Sequence, residues 1–469
     1  MLFHSPIFLC AFLPLVLLLA WGGGRVARNG VLLLASLFFY AWGEGRMVGV
    51  LAASAVVHWA LAGVVARRGT LASHVALGAG VAFDLGLLLL FKYAGWLLGE
   101  VPALALALRP EGATGPPIGV SFFTFQALSY LVDVHRGVVP PQRSPFKFAL
   151  YLSLFPQLIA GPIVRYADVA AQIDGRELGV SKVAEGFRRF ITGLGKKVLL
   201  AGTLAPVTED VFALGAGDLT TSAAWLGLAC YSLQIYLDFS GYSDMAIGLG
   251  RMLGFEFLEN FLHPYASRSV TEFWRRWHVS LSSWFRDYLY IPLGGNRKGR
   301  LRTGLNLVVV FLLCGVWHGA AWTFVVWGAW HGALLVLERI GGGAVLAKLP
   351  RPMAHAWTVL VVCLGWVPFN AISMDQALDY WAALAGLGSS GPAWPAARFL
   401  APSVVAALAL GAVASVPWLP WLRDRLREGR VPGRPVLLWG ADAALVVILV
   451  LSLAEGLGGT STPFIYFRF

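Results

Sequence analysis

Two histidines in aromatic settings are the groups best suited to move a proton. His318 sits in Trp317-His318-Gly319, near the far end of an apolar run that begins at Thr303. His278 sits within 271–287, a stretch that is at once amphipathic, aromatic and charged. A neutral imidazole can take a proton from an attacking hydroxyl near physiological pH. A second histidine or an amide can hold an acyl carbonyl or orient the base. The simpler reading of either residue is a hydrogen-bonded packing histidine. Other hydrolytic machinery is absent from the sequence, which has no Gly-x-Ser-x-Gly elbow and no His-Glu-x-x-His zinc motif. The four cysteines lie in apolar runs without metal-ligand spacing, so no metal site is expected.

Around His278 stand Trp274, Arg275, Arg276 and Trp277. One reading is an interfacial anchor, with tryptophans at head-group level and arginines reaching for water. The other is a polar shelf that lines a cavity and brings Arg275, Arg276 and His278 to a substrate. His318 lies sixteen residues past Arg302, about 24 Å along a helix. If the basic loop at 297–302 faces the cytosol, His318 lies deep in the membrane or towards the opposite face. Trp330-His331-Gly332 echoes the His318 motif thirteen residues on. On one continuous helix that is about 220° of rotation, so the two histidines would face different ways. His331 and His58 are read as packing residues, because no basic shelf accompanies them.

Residues 231–254 carry Gln234, Asp238 and Asp244 in apolar sequence. Carboxylates there must face protein or water. Structural ion pairs or the wall of a polar tunnel are preferred to a catalytic role. Gly250 and Gly254 permit close helix packing. The turn at 293–300 has the glycine spacing of a phosphate loop at Gly294 and Gly299, but Arg300 and Leu301 stand where Lys and Ser or Thr are required. Nucleotide hydrolysis is excluded on that ground, and attraction of an anionic donor stays open.

These residues need a scaffold, and composition says which kind. Of 469 residues, 58% are hydrophobic and 13% charged, where soluble domains carry about a quarter charged. Apolar stretches long enough to cross a bilayer recur from 5–22 to 435–455. We read roughly ten to twelve spans in an all-α polytopic membrane protein. The formal charge of +11 falls mostly between spans, at Arg25 and Arg28, Arg67 and Arg68, 297–302 and 423–434. That placement suits lipid head groups and cytoplasmic loops, and without a soluble basic domain nucleic acid is not a partner. The first stretch lacks the basic start of a cleavable signal. No boundary divides the chain, so 1–469 reads as one membrane domain with a polar core at about 116–338. No repeat relates the halves, which counts against a transporter.

Several ordered segments together resemble the membrane-bound O-acyltransferases, and within them the alginate O-acetyltransferase subgroup. They are 117–130, 154–165, 238–244, 274–287, Trp317-His318-Gly319 and 463–469. The resemblance implies helices around a thinned, funnel-like centre with re-entrant segments. It implies that His318 matches the family's catalytic histidine and His278 its second histidine. It further implies an activated acyl thioester donor such as acetyl-CoA, used as substrate with no bound cofactor. Periplasmic partner proteins would pass the acetyl group to a polysaccharide, from a multi-pass protein of the bacterial inner membrane.

The expected function is therefore transfer of an acetyl group from a cytosolic thioester for O-acetylation of an exported, alginate-like polysaccharide. His318 and His278 are the expected catalytic pair, with Arg275, Arg276, Trp274, Trp277, Asp238 and Gln234 at the substrate or tunnel wall. Three rivals remain at this level: a flippase or transporter of a saccharide or lipid-linked precursor, a D-alanyl transferase acting on a cell-envelope polymer, and a non-catalytic scaffold of a secretion complex.

Overall fold

The computed structural model describes residues 1–99, 102–108, 116–389, 395–418, 421, 425, 434–458 and 464–465. Most of the basic run at 423–434 and most of 463–469 therefore lie outside the described residues. The described chain is helical throughout and contains no strand, as expected where backbone groups must pair within their own segment. Six helices among the described residues are long and apolar enough to cross a membrane: Met47–Val65, Leu71–Leu98, Val180–Phe212, Gly299–His318, Arg351–Asn370 and Trp439–Leu457. Phe8–Gly22 and Pro402–Ala414 are shorter apolar helices. Other expected spans fall on helices of a different kind. Val120–Arg136 is 17 residues long and buries nearly its whole circumference. The run at 145–163 breaks into Pro145–Ser153 and Phe155–Leu158.

The chain divides into two compact units. The first comprises Met1–Phe190 and Ser243–Glu259, and the second Ile191–Tyr242 and Asn260–Ile465. In the first, Phe8, Phe12 and Phe39 gather round Phe155 at ring separations of 5.4 to 6.3 Å. Several polar groups in the same unit are paired. His58 Nε2 lies 2.9 Å from Asp84 Oδ2. Arg189 reaches both Asp244, at 2.8 Å, and Glu259.

In the second unit the histidine-bearing run forms a hairpin. The apolar run at 303–337, too long for one span, holds two helices, and the first does not run on past His318. Gly299–His318 ends at His318, three extended or turning residues follow, and Trp322–Leu337 runs back beside it. Glycines set the approach. Gly315 abuts the Phe324 carbonyl, Gly328 the Phe311 carbonyl, and Gly332 the backbone at Val308. This is the small-residue contact that lets membrane helices pack closely. The antiparallel register puts Arg302 and Glu338 at one end of the hairpin and His318 at the other.

Candidate active site

The stretch at 271–287 is two short helices, Val270–Arg276 and Val279–Phe285, broken at His278. His278 takes a left-handed backbone, φ 44° and ψ 56°, which costs a non-glycine residue roughly 1–2 kcal/mol. Partners distant in sequence hold the break. Leu262 N donates to Arg276 O and Val279 N to Asn260 O, each at 2.9 Å. The Asn260 side chain accepts from both Ser280 N, at 3.1 Å, and Ser280 Oγ, at 2.9 Å.

The start of this shelf is equally well satisfied. Ser269 Oγ accepts from Glu272 N at 3.0 Å, an N-cap. The Glu338 carboxylate accepts from Val270 N at 2.6 Å, Thr271 N at 2.9 Å and Thr271 Oγ1 at 2.6 Å. A seven-residue helix thus has its orphan N–H groups answered by side chains.

His318 ends its helix at 4% exposure. Its ring meets three aromatic neighbours edge-on: Trp317 at 5.0 Å, Trp327 at 5.1 Å and Phe369 at 5.1 Å. His278 is 2% exposed and lies against Phe239 at 6.2 Å and Phe261 at 6.0 Å. Its Nδ1 is 3.4 Å from Ser280 Oγ. His278 falls outside the candidate spans, and burial pushes its imidazole down to about 3. Burial thus favours the neutral imidazole, in which one ring nitrogen donates a hydrogen bond and the other accepts. A run of rings connects the two histidines: Phe261 to Trp277 at 5.1 Å, Trp277 to Trp366 at 4.9 Å, and Trp366 to Phe369 at 5.5 Å.

The expected shelf residues divide by direction. Trp274 and Trp277 are buried, while Arg275 is exposed. Arg276 is tied to Glu272 at 2.7 Å and to Leu262 O at 3.2 Å. Asp238 accepts from Lys197 Nζ at 2.7 Å and from Ile465 N at 2.8 Å. Gln234 is buried, and its Oε1 has no hydrogen-bond partner among the described residues.

His331 requires a correction. It was read as a packing residue with no basic shelf beside it, and its facing relative to His318 was given only for one continuous helix. The hairpin instead brings it to the same aromatic cluster, at 5.2 Å from Trp327. Trp274 of the shelf donates its Nε1–H to His331 Nδ1 at 3.3 Å. His331 Nε2 is buried with no partner among the described residues. The repeated Trp-His-Gly was the sequence signal, but only the helix break reveals what it means. Asn260 and Glu338, which fix the shelf, carried no local signal. No cluster of His, Cys, Asp or Glu suited to a metal occurs among the described residues.

Chemically, the cluster is a buried, aromatic-walled place holding imidazoles at the end of a membrane-length helix. That is suited to proton transfer at a hydroxyl and poorly suited to binding bare charge.

Comparison with known proteins gives this arrangement a family. The profile of the membrane-bound O-acyltransferase family matches residues 122–378, a range that contains His278, His318 and His331. The chain is 45% identical to the probable alginate O-acetylase of Azotobacter vinelandii, over 83% of this chain and 79% of that one. It is 40% identical to the probable alginate O-acetylase of Pseudomonas putida, over the full length of both. It is 34% identical to the peptidoglycan O-acetyltransferase of Helicobacter pylori, over 82% of this chain and 80% of the relative. The chain belongs to the membrane-bound O-acyltransferase family and is a multi-pass membrane O-acyltransferase.

Proposed function

We propose that the protein takes an acetyl group from a cytosolic thioester, acetyl-CoA being one such donor, and sends it across the membrane for O-acetylation of an exported, alginate-like polysaccharide. The observation that carries this reading is the position of His318. It is buried in an aromatic cage at the end of a membrane-length helix whose other end is basic. Basic ends favour the cytoplasmic side, so His318 lies towards the far face, where a donor from one side can meet an acceptor from the other. The relatives' names support acetyl as the acyl group and a cell-envelope polysaccharide as its destination.

In the proposed step His318 takes the proton of an acceptor hydroxyl as its oxygen attacks the thioester carbonyl carbon. The new C–O bond forms and the C–S bond breaks. The imidazolium returns its proton to the leaving thiolate. His278, neutral and anchored by the Asn260–Ser280 contact, holds the carbonyl or the hydroxyl in line. Excluding water from the cage protects the thioester from hydrolysis. The acceptor hydroxyl belongs to the polysaccharide itself or to a periplasmic partner protein that hands the acetyl group on. This places the protein in the bacterial inner membrane.

The test is the O-acetyl content of exported polysaccharide from cells carrying wild type, His318→Ala or no copy, with membrane levels matched. Equal loss in the variant and the null strain supports the reading. Full acetylation with His318→Ala would remove His318 from the mechanism, and full acetylation without any copy would remove the protein from the pathway.

A further inference from the structure

A second site lies at the opposite end of the hairpin from His318. A cavity of about 640 Å³ opens there, with Leu307, Leu335 and Tyr290 in its wall and three arginines, Arg268, Arg339 and Arg351, around it. Two carboxylates also line it, but both are engaged. Glu338 accepts the three hydrogen bonds at the start of the shelf. Glu272 is paired with Arg276 and accepts from Arg268 N at 2.9 Å. None of the three guanidinium groups has a carboxylate partner among the described residues. Three arginines against two carboxylates leave the cavity lining net positive, and an anion held there would be favoured.

The surroundings say which anion. Leu337, Ile340, Val345 and Met353 stand beside the cavity's lining residues in sequence, and each is more than half exposed, at 55%, 67%, 61% and 57%. In a membrane protein such residues are solvated by acyl chains. A phosphate above exposed aliphatic side chains, at the basic end of spanning helices, is the chemistry of a phospholipid.

We propose that Arg268, Arg339 and Arg351 form a binding site for the phosphate head group of an anionic membrane phospholipid. The site has a structural consequence. Arg268 immediately precedes the shelf that carries His278. Arg339 follows the helix that carries His331. Arg351 begins the helix that carries Trp366 and Phe369. One bound phosphate would therefore tie together three of the elements that meet at the aromatic cluster.

The experiment uses the full chain purified in detergent and offered phosphatidylglycerol and phosphatidylcholine, with bound lipid counted by native mass spectrometry. Wild type should retain phosphatidylglycerol preferentially. Arg268→Gln, Arg339→Gln and Arg351→Gln should each weaken retention about ten-fold, the loss expected for one charge-assisted contact. The single variants change exposed side chains, so a monodisperse elution profile identical to wild type serves as the folding control. A triple variant, Arg297→Gln, Lys298→Gln and Arg300→Gln, removes three charges from the neighbouring loop, more than any single cavity variant, and should leave retention unchanged. Equal loss in the loop variant would overturn the site in favour of diffuse attraction. No loss in the cavity variants would overturn it outright. Displacement of the lipid by equimolar inorganic phosphate or adenosine 3′,5′-bisphosphate would overturn the phospholipid assignment and give the cavity to a soluble phosphate. Because binding is read without catalysis, the result stands independently of the acetyl-transfer proposal.

Discussion

His318 and His331 meet the same ring: the indole of Trp327 lies edge-on to both, at 5.1 Å and 84° to one and 5.2 Å and 68° to the other. The two histidines belong to antiparallel helices, and Trp274 reaches from the shelf to donate to His331. His331 is thus a positioning residue, connecting the shelf to the wall of the His318 cage.

If so, Trp274 and His331 act as one unit. Trp274→Phe and His331→Phe should each lower acetyl transfer by purified protein, and the double variant should be little worse than either single. The coupling expected for residues in direct contact is about 0.5–3 kcal/mol. Fully additive losses would show that the hydrogen bond has no functional weight. A lowered kcat at constant KM would mark the effect as positional.

The left-handed turn at His278 gives a second prediction. Asn260→Ala removes the acceptor for Ser280 N and Oγ, leaving a buried donor unsatisfied at a cost of about 1–3 kcal/mol. The apparent melting temperature should fall and activity with it, whereas Asn260→Asp keeps the acceptor oxygen and should restore much of both. An unchanged melting temperature for Asn260→Ala would mean that the backbone bonds at Leu262 and Val279 hold the turn unaided.

This turn also marks how far the sequence could be read. Long apolar runs announce membrane helices because hydropathy accumulates over about 20 residues. The Trp-His-Gly motif and the charged shelf stood out because polar groups in such sequence are costly. The break at His278 and the exact end of the helix at His318 did not stand out. His278 is neither glycine nor followed by proline, and its conformation is imposed by Asn260 and Leu262, some 16 to 18 residues upstream. The end of the hairpin's first helix depends on Gly319, where any Cβ would run into the Phe324 ring. That contact exists only once the hairpin has closed. The place of His331 was hidden for the same reason, since a facing along one continuous helix does not hold where a tertiary contact interrupts that helix.

The Lys197–Asp238 pair supports a third prediction. Both side chains are nearly fully buried and lie 2.7 Å apart. Removing one partner of a buried pair typically costs about 3–5 kcal/mol, while replacing both by apolar groups is often neutral. Asp238→Asn should therefore lower the yield of monodisperse protein sharply. Lys197→Met with Asp238→Leu should recover much of that yield. Activity separates the readings of Asp238. A stable double variant that transfers acetyl normally confines the pair to architecture, whereas a stable inactive one places Asp238 among the groups that act on substrate.

The glycines of the hairpin give the last prediction, with a control built into the same helix. A Cβ at Gly315 would collide with the Phe324 carbonyl oxygen and one at Gly328 with the Phe311 carbonyl oxygen, both backbone atoms that cannot swing aside. Gly304 sits on the same helix as Gly315, yet its nearest neighbour would be a Val336 methyl at 3.7 Å, ordinary contact. Gly315→Ala and Gly328→Ala should force the helices apart, opening the aromatic cage at the end where His318 sits. Overpacking of this kind costs about 1–3 kcal/mol, and transfer should fall further than stability because the distance between Trp327 and His318 grows. Gly304→Ala adds helix propensity worth about 1 kcal/mol without a clash and should leave melting temperature and activity at or above wild type. If all three alanines behaved alike, backbone proximity would not be what sets the cage. If only the two crowded positions fail, the hairpin's close approach is the element that holds His318 in place.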